Sequence, residues 1–295
     1  MFLKNKMNLS ILIPCYNWDV YQLILDISIQ CQKEYNSSLY EIICIEDGSV
    51  NLFENKKISN LKKVKYEILS NNIGRSAIRN LLAKKAKFEW LLFIDCDSEI
   101  LTKDFVKKYK IQSKTNQKKQ IFYGKTVYKK HNNPKTILHE KYGRKIESRS
   151  KEKNFSSHHF LIKKTAFKHV SFDEKIKTYG YEDVLFQIKS PMEFRYINNP
   201  LYHTGLKNAN DFLYDCETGL KNLSNYKQQK EIIEKIKILK WWKKLSFAHY
   251  LINKIFILFK PIIVYNLRSK HPSLLLFQLY KLGLIINLDL DTFKN

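Results

Sequence analysis

The first hundred residues alternate short apolar runs with longer stretches of helical pattern, and this alternation restricts the possible folds most strongly. The apolar runs cover residues 9–14, 40–46, 65–70 and 89–95, and helical patterns cover about 19–33 and 74–87. A strand–helix–strand rhythm of this kind indicates a mostly parallel α/β sheet with helices on both faces.

Polar and acidic residues follow three of these four runs. The segments are PCYN at 14–17, EDGS at 46–49 and DCD at 95–97. In open α/β sheets ligands bind beyond the carboxyl ends of the strands. The sequence therefore predicts a ligand site at this edge of the sheet.

Asp95 and Asp97 lie one residue apart directly after the fourth apolar run. Two carboxylates this close repel each other unless a cation or hydrogen-bond donors offset the charge. Mg²⁺ and Mn²⁺ prefer oxygen ligands and usually keep coordination positions for substrate phosphates. The alternative is an acidic turn at the start of a helix, and the residues alone leave both interpretations open.

Gly74 precedes a helical stretch that carries Arg75 and Arg79, four residues apart on one helix face. A helix N-terminus with two arginines favours anions. The alternative is an ordinary solvated face. Asp47, in the EDGS turn, is suited to accept hydrogen bonds from a ribose or base edge, and Tyr16 is suited to stack on a base.

The chain has 295 residues and a net charge of +24, from 52 Lys and Arg against 28 Asp and Glu. This excess favours nucleic acid, anionic lipid surfaces or phosphate-bearing substrates as partners, although a bias toward Lys, Asn and Ile codons would also produce it. A nucleic-acid-binding protein is disfavoured because zinc fingers, RNP-type aromatics and a helix-turn-helix pattern are all missing from the sequence.

The five cysteines include no CxxC pair, which excludes a zinc ribbon and a thioredoxin motif and indicates the reduced thiols of a cytosolic protein. The sequence has no GxxxxGK[ST] or GxGxxG phosphate loop. A nucleotidyltransferase is disfavoured because PCYNWDVYQ lacks the Gly-rich basic loop that this class carries after its first strand. The N-terminus has no signal-peptide pattern, and no uninterrupted apolar run of about 18 residues predicts a membrane span.

The segments LSILIPCYN, EIICIEDGS, NNIGRSAIRNLLAKKA and WLLFIDCDSEI, in this order and spacing, resemble the family 2 glycosyltransferases. These enzymes have the GT-A fold and a DXD-type motif. The resemblance is specific over residues 9–99 and weaker to about residue 223. It implies a GT-A domain over 7–225, with a nucleotide-sugar-binding half at 7–100, an acceptor and catalytic half at 101–225, and a helical extension at 226–295.

The resemblance also implies roles for individual residues toward a UDP- or GDP-sugar donor and a divalent cation, Mg²⁺ or Mn²⁺. Asp95 would bond the ribose or join the metal shell, Asp97 would ligate the metal, and His203 would be a further metal or diphosphate ligand. The residues implied to contact the nucleotide are Pro14, Tyr16 and Asn17 at the base, Asp47 at the nucleoside, and Arg75 and Arg79 beside the base or diphosphate.

Glu182 and Asp183 resemble the family's ED motif, which implies Asp183 as general base, Glu182 in contact with the acceptor, and an inverting transfer. The alternative is a pair of ordinary acids at a helix N-terminus, and a structural role is the alternative for His203. His158 and His159 are expected at the surface or in an acceptor loop. Glu46 departs from the aspartate that is more frequent at its position, which leaves the nucleotide preference open.

Two further regions carry predictions. Residues 103–153 are rich in lysine and are expected to be peripheral, partly mobile, and able to form a lid. Residues 240–286 combine aromatic, apolar and basic side chains, which suits peripheral contact with an anionic membrane; a helical subdomain packed on the core is the alternative. Pro261 is expected to break any single long helix there.

The combined prediction is a metal-dependent, inverting hexosyl or related transferase that acts on a saccharide or lipid-linked acceptor. We expect it in bacterial surface polysaccharide or glycoconjugate assembly. The expected location is cytoplasmic, with peripheral contact at the inner face of the plasma membrane and no nucleic-acid partner.

Overall fold

The computed structural model describes residues 7–113, 120–148 and 155–292. Two compact units are interleaved along the chain. The first comprises residues 1–128, 150–177 and 189–205, and the second comprises 129–149, 178–188 and 206–295. The domain boundary near residue 225 stays a prediction.

The first unit is built on a seven-stranded sheet with the order β3-β2-β1-β4-β8-β6-β9. Neighbouring strands are parallel except at β8, which runs antiparallel to both β4 and β6. The predicted mostly parallel sheet is therefore confirmed. The strands are β1 (Leu9–Cys15), β2 (Tyr40–Glu46), β3 (Val64–Ile68), β4 (Trp90–Ile94), β6 (Gln120–Tyr123), β8 (His159–Lys163) and β9 (Glu193–Tyr196).

The helices of this unit follow from the sequence pattern. They are α1 (Tyr21–Glu34), α2 (Arg75–Lys85), α3 (Phe105–Gln112) and the short α5 (Lys164–Phe167). Leu23, Ile27 and Cys31 recur at four-residue spacing on α1 and are buried against the sheet. The continuous apolar runs of β1, β2 and β4 are buried on both faces, as expected for inner parallel strands.

The lysine-rich region does not lie wholly at the periphery. It supplies α3 and also β6, which lies between β8 and β9 with all four residues buried. The expectation of a peripheral lid is wrong for this part, because a strand of four residues is too short for its apolar pattern to stand out between lysines. Residues 114–119 and 149–153 of that region lie outside the described residues.

A second, three-stranded sheet in the same unit has the order β5-β10-β7. Its strands are β5 (Ser98–Ile100), β7 (Thr126–Val127) and β10 (Leu201–His203). Ser98 pairs with His203 in the antiparallel register of β5 and β10. This small sheet therefore brings His203 beside the segment that follows β4.

The second unit is helical over the parts of it that are described. Its helices are α4 (Ile137–Tyr142), α6 (Glu182–Lys189), α7 (Ala209–Ser224), α8 (Lys230–Lys235), α9 (Lys237–Lys244), α10 (His249–Leu267) and α11 (Leu274–Thr292). The rings of Tyr142, Phe212 and Phe277 pack together where α4, α7 and α11 meet. The tail is therefore helical, as its pattern predicts.

Pro261 lies inside α10 and does not end it, so the expected break is wrong. Proline removes the hydrogen bond that residue 261 would donate to the carbonyl of Ile257. Ile257 and Pro261 are both exposed, so that carbonyl lies on the side of the helix that is open to solvent.

Candidate active site

The carboxyl ends of β1, β2 and β4 lie side by side, as the topology predicts. Cys15 pairs with Glu46 at the ends of β1 and β2, and the backbone N–H of Asp47 donates to the carbonyl of Cys15 at 2.8 Å. The backbone N–H of Asp95 donates to the carbonyl of His158 at 2.9 Å. The predicted acidic residues Asp47 and Asp95 therefore belong to one sheet edge.

Asp47 ties the end of β2 to the loop before α2. Its carboxylate accepts the backbone N–H groups of Ile73 at 2.7 Å and Gly74 at 3.1 Å. Burial raises the pKa of this carboxyl group, although the two hydrogen bonds favour its charged form. Gly48 has φ +66°, and a Cβ there would lie 2.3 Å from the nitrogen of Asn72, so the two loops meet closely. The nucleoside-binding role of Asp47 stays a prediction.

Glu46 is a structural anchor that sequence reasoning did not find. Its buried carboxylate accepts from Asn55 Nδ2 at 2.7 Å, from the Tyr66 hydroxyl at 3.1 Å, and from Ser49 Oγ. Asn55 and Tyr66 are nine and twenty residues away in the chain. No local pattern in the sequence marks such partners.

The predicted base-pocket residues lie at the end of β1 and just beyond it. Pro14 is within the strand, Tyr16 is half exposed, and Asn17 has a left-handed φ of 49°. The backbone N–H of Asn17 donates to Ser49 Oγ, and its Oδ1 accepts from the backbone N–H of Asn51, both at 2.9 Å. Asn17 therefore joins the loops after β1 and β2, and the exposed ring of Tyr16 is free to meet a ligand.

Arg79 is buried rather than solvated, so the solvated-face alternative is wrong for this residue. Its side chain is 2% exposed, and Nη2 lies 2.5 Å from Asp95 Oδ1. Arg75, on the previous helical turn, is partly exposed, with Nη2 3.9 Å from Asp95 Oδ2. Burial raises the pKa of Asp95, and the two guanidinium groups counteract that rise. Both oxygens of Asp95 thus face arginines.

Asp97 and His203 form a second pair. Asp97 Oδ2 lies 3.3 Å from His203 Nε2. Burial opposes the charged form of Asp97, but His203, together with His158 and Arg75, outweighs it, and the pKa of the carboxyl group lies well below its ordinary range. The backbone N–H and hydroxyl of Thr204 both donate to the Asp97 carbonyl at 2.8 Å, which holds the two segments together.

His158 and His159 are fully buried on and beside β8, so their expected surface position is wrong. His158 Nε2 lies 2.9 Å from Ser98 Oγ and Nδ1 lies 3.1 Å from Thr126 Oγ1. Burial lowers its pKa well below the usual histidine value, which keeps the ring neutral. Its ring centroid is 5.5 Å from that of His203. His158 therefore supports the position of His203 from behind.

The residues of this pair fit a divalent cation. Among the described residues no group of three His, Cys, Asp or Glu forms a complete metal site. Asp97 and His203 offer one carboxylate and one imidazole, which suits a cation that takes its other ligands from substrate phosphates and water. A Cβ at Gly205 would lie 2.3 Å from Asp97 Oδ2, so the glycine keeps this side of the carboxylate open.

In the second unit, Glu182 and Asp183 begin α6 after a tight turn. Glu182 is buried and accepts the backbone N–H of Gly180 at 2.9 Å. Asp183 Oδ1 accepts the N–H of Val184 at 2.7 Å. Gly180 and Tyr181 have φ of +109° and +68°. A positive φ at an aromatic residue is strained and is typical of functional turns.

Helix α7 holds this turn in place through Asn222 and Gly219. Asn222 Nδ2 lies 3.1 Å from the carbonyl of Tyr179 and 3.4 Å from that of Gly180. A Cβ at Gly180 would lie 2.6 Å from the Cα of Gly219, so a glycine at 180 allows this close approach. Sequence reasoning missed Asn222, which lies about forty residues beyond the turn.

A model of the family described as glycosyl transferase family 2 matches residues 10–176, more than half of the chain. The chain belongs to glycosyl transferase family 2. The predicted family, GT-A fold and transferase class are therefore confirmed, and the nucleotidyltransferase and nucleic-acid-binding alternatives are not supported.

Individual relatives of this glycosyltransferase match it less completely. A poly(ribitol-phosphate) beta-glucosyltransferase of Bacillus spizizenii strain W23 is 36% identical over 118 residues, which is 38% of this chain and 18% of the relative. The chain thus matches about a fifth of the length of this curated relative.

Two solved structures are similar at low identity. S. aureus TarS 1–349 has a TM-score of 0.49 at 17% identity, covering 96% of this chain and 92% of that chain. GalNAc-T7 with UDP, GalNAc and Mn²⁺ has a TM-score of 0.50 at 16% identity, covering 68% and 44%. At 16% identity, the similarity to GalNAc-T7 supports the fold alone.

Proposed function

We propose that this glycosyltransferase moves a sugar from a nucleotide diphosphate-sugar to a saccharide or lipid-linked acceptor, with Mg²⁺ or Mn²⁺ held by Asp97 and His203. The observation that carries the proposal is the Asp97–His203 pair, 3.3 Å apart beyond the carboxyl end of β4. This is the sheet edge where α/β folds bind ligands.

A cation bound by Asp97 and His203 would neutralise the charge that develops on the departing diphosphate. Arg75 is partly exposed beside the same carboxylates, and its guanidinium would add a second positive charge for the phosphate oxygens. Asp95 is oriented by the buried Arg79 and would accept a hydrogen bond from the donor ribose on a remaining lone pair.

Asp183 is proposed as the general base. It would take the proton of the acceptor hydroxyl while that oxygen attacks the anomeric carbon and the bond to the diphosphate oxygen breaks. A single displacement of this kind inverts the anomeric configuration. Glu182 is buried and accepts from Gly180, so its contribution in this proposal is to hold the turn and to contact the acceptor.

The proposed acceptor class is a bacterial surface polymer. Support comes from the similarity over 118 residues to an enzyme named as a poly(ribitol-phosphate) glucosyltransferase. A phosphate-bearing polymer also suits a chain with a net charge of +24, since such a charge attracts anionic substrates. The five cysteines are free thiols, which suits the proposed cytoplasmic location.

The test is a panel of UDP- and GDP-sugars, with Mn²⁺ or with EDTA, in which released nucleoside diphosphate is measured. We expect release from one donor only in the presence of metal. Asp97→Asn should reduce it by more than the roughly 10–100-fold that supporting residues of metal sites cost. Asp26→Asn, which removes a carboxylate hydrogen-bonded to Gln22 on α1, is the matched control and should retain activity.

Two outcomes would contradict the proposal. Donor turnover that survives EDTA and Asp97→Asn would remove the cation from the mechanism. No turnover of any donor, together with no metal-dependent thermal shift by UDP or GDP, would leave the fold without the proposed activity.

A further inference from the structure

Helix α10 presents an apolar stripe to solvent. Leu251, Ile255, Leu258 and Ile262, spaced by four, three and four residues, lie on one face and are between 49% and 71% exposed. The opposite face of α10 carries the buried residues Phe256, Ile263 and Leu267. A surface helix of a soluble protein normally carries polar residues on its outward face. Among the residues that the structure describes, none covers this outward apolar face of α10.

The apolar stripe of α10 is more extensive than the single exposed apolar residues that are common on protein surfaces. Within Ser246–Leu267 an 18-residue window has a mean hydropathy of 1.5, and only 17% of that window is buried. It is the one helix in the described part of the chain that is long and apolar enough to cross a membrane. The sequence criterion of an uninterrupted apolar run did not find it, because Lys254 and Lys260 interrupt the run.

The charged side chains of the segment that contains the stripe have one sign. From Lys235 to Leu288 the chain has ten Lys or Arg residues and no Asp or Glu. Lys240, Lys243 and Lys244 are exposed on α9, and Lys244 Nζ lies 5.3 Å from the ring centroid of the exposed Trp241. An apolar stripe flanked by lysines and tryptophan matches an anionic lipid surface, where apolar groups enter the acyl boundary and lysines meet headgroups.

We propose that α9 and α10 dock on the surface of an anionic phospholipid bilayer, with the apolar stripe of α10 inserted and the lysines of α9 at headgroup level. The exposed ring of Trp241 and the exposed Phe247 would enter the interface beside them. Docking of this kind does not depend on the identity of the donor or the acceptor.

Two other arrangements fit the observations less well. A second copy of the chain on this stripe would bring two basic segments without acidic residues together, and their charges would repel. A membrane span would place Lys254, which is exposed on the outward side of α10, within the hydrocarbon. It would also remove Phe256 from Gly283 of α11, where the helices touch so closely that a Cβ would lie 2.2 Å from the ring. A helix lying in the interface avoids both costs, because Lys254 can extend to the headgroups.

The test is co-sedimentation of the full chain with vesicles of phosphatidylcholine alone or with added phosphatidylglycerol, at low and high salt. We expect binding to the anionic vesicles that weakens with salt. The variant Leu258→Gln/Ile262→Gln should lower the partition coefficient by about ten-fold or more, because it removes two inserting side chains. Its matched control, Ile29→Gln/Ile111→Gln, changes two exposed isoleucines on α1 and α3 and should bind as the unaltered protein does.

A charge variant tests the proposed contact between the lysines of α9 and the lipid headgroups. Lys243→Glu/Lys244→Glu should lower binding by about five-fold or more for each residue, since a lysine near an anionic surface is worth about 1 kcal/mol. Lys56→Glu/Lys62→Glu makes the same change in net charge at exposed positions in the first unit and should have a much smaller effect.

Three results would overturn the proposal. The first is no binding to anionic vesicles at low salt. The second is concentration-dependent self-association without lipid that Leu258→Gln/Ile262→Gln abolishes, which would assign the stripe to a second copy. The third is protein that resists alkaline carbonate extraction from vesicles and requires detergent, which would indicate a span. Circular dichroism of each variant verifies that it is folded.

Discussion

The ion pair between Arg79 and Asp95 offers the sharpest test of how the active site is built. The two side chains are 2% and 13% exposed, and their closest atoms are 2.5 Å apart. Arg79 also donates to the carbonyl of Arg75 at 3.2 Å and lies with Cζ 5.5 Å from the centre of the Phe172 ring. We consider Asp95→Asn, Arg79→Met and the double variant.

The expected loss of stability follows from this burial. Breaking a buried pair leaves an unpaired charge and costs about 3–5 kcal/mol. Asp95→Asn leaves the guanidinium of Arg79 without a carboxylate, so we expect a cost of about 4 kcal/mol. Arg79→Met leaves Asp95 near Arg75, whose Nη2 lies 3.9 Å away, so its cost should be nearer 3 kcal/mol. The double variant should cost about 4 kcal/mol, a coupling of about 3 kcal/mol between the two sites.

The losses in unfolding free energy are measured by urea unfolding followed by circular dichroism. Hydrogen exchange of the β4 and α2 amides gives a local measure. The surface pair of Lys85 and Glu67, 2.9 Å apart and about 40% exposed on both sides, is the matched control. Glu67→Gln should change the free energy of unfolding by less than about 1 kcal/mol.

The reasoning would be refuted by additive single variants, with a coupling below about 0.5 kcal/mol. A loss of stability no larger than that of Glu67→Gln would also refute it. If Asp95→Asn then abolished donor turnover, the role of Asp95 would be ligand binding alone.

Three further predictions concern Glu41 at the start of β2, the turn at Gly180, and His158. Glu41→Gln should cost about 1–3 kcal/mol at neutral pH, because Glu41 accepts hydrogen bonds from a hydroxyl, a lysine and a backbone N–H. These bonds outweigh burial and hold its pKa below the ordinary value. The difference in unfolding free energy between Glu41→Gln and the unaltered protein should therefore be complete at pH values above the ordinary carboxyl pKa, and it should fade as the pH falls below that value. A difference that persists in acid would contradict this. Gly180→Ala should lower Tm and the transfer rate more than Gly219→Ala does. The reason is that a Cβ at Gly180 would lie 2.6 Å from the Cα of Gly219, whereas a Cβ at Gly219 would lie 3.3 Å from the Cα of Gly180. Equal losses in the two variants would count against the close approach at the turn. His158→Phe should weaken Mn²⁺-dependent UDP binding, measured by calorimetry, by about 10-fold through His203, and unchanged binding would exclude a positioning role.

Local sequence pattern was sufficient to predict most of the strands and helices in the first hundred residues. The apolar runs that became β1, β2 and β4, and the helical stretch that became α2, were predictable to within about two residues, because buried inner strands and amphipathic helices have strong periodicities. The grouping of Asp47, Asp95 and Asp97 at one sheet edge was predictable as well, since parallel strands end on the same side.

Other features depended on partners far apart in the chain. β6 is too short for its pattern to be recognised, yet it lies inside the sheet. His158 is buried because β8 enters between β4 and β6. Asn222 reaches its turn across about forty residues, and no neighbour in sequence marks it.

The sequence by itself determined the fold class, the family, the site edge and the basic, apolar character of the tail, because each of these is a property of local pattern or of a contiguous motif. Only the tertiary structure decided that Arg79 belongs to Asp95 rather than to solvent, that His203 meets Asp97, and that the outward face of α10 is apolar. The physical reason is that burial and pairing are set by what the folded chain brings close, and the contacts that decide them join residues sixteen to more than a hundred positions apart.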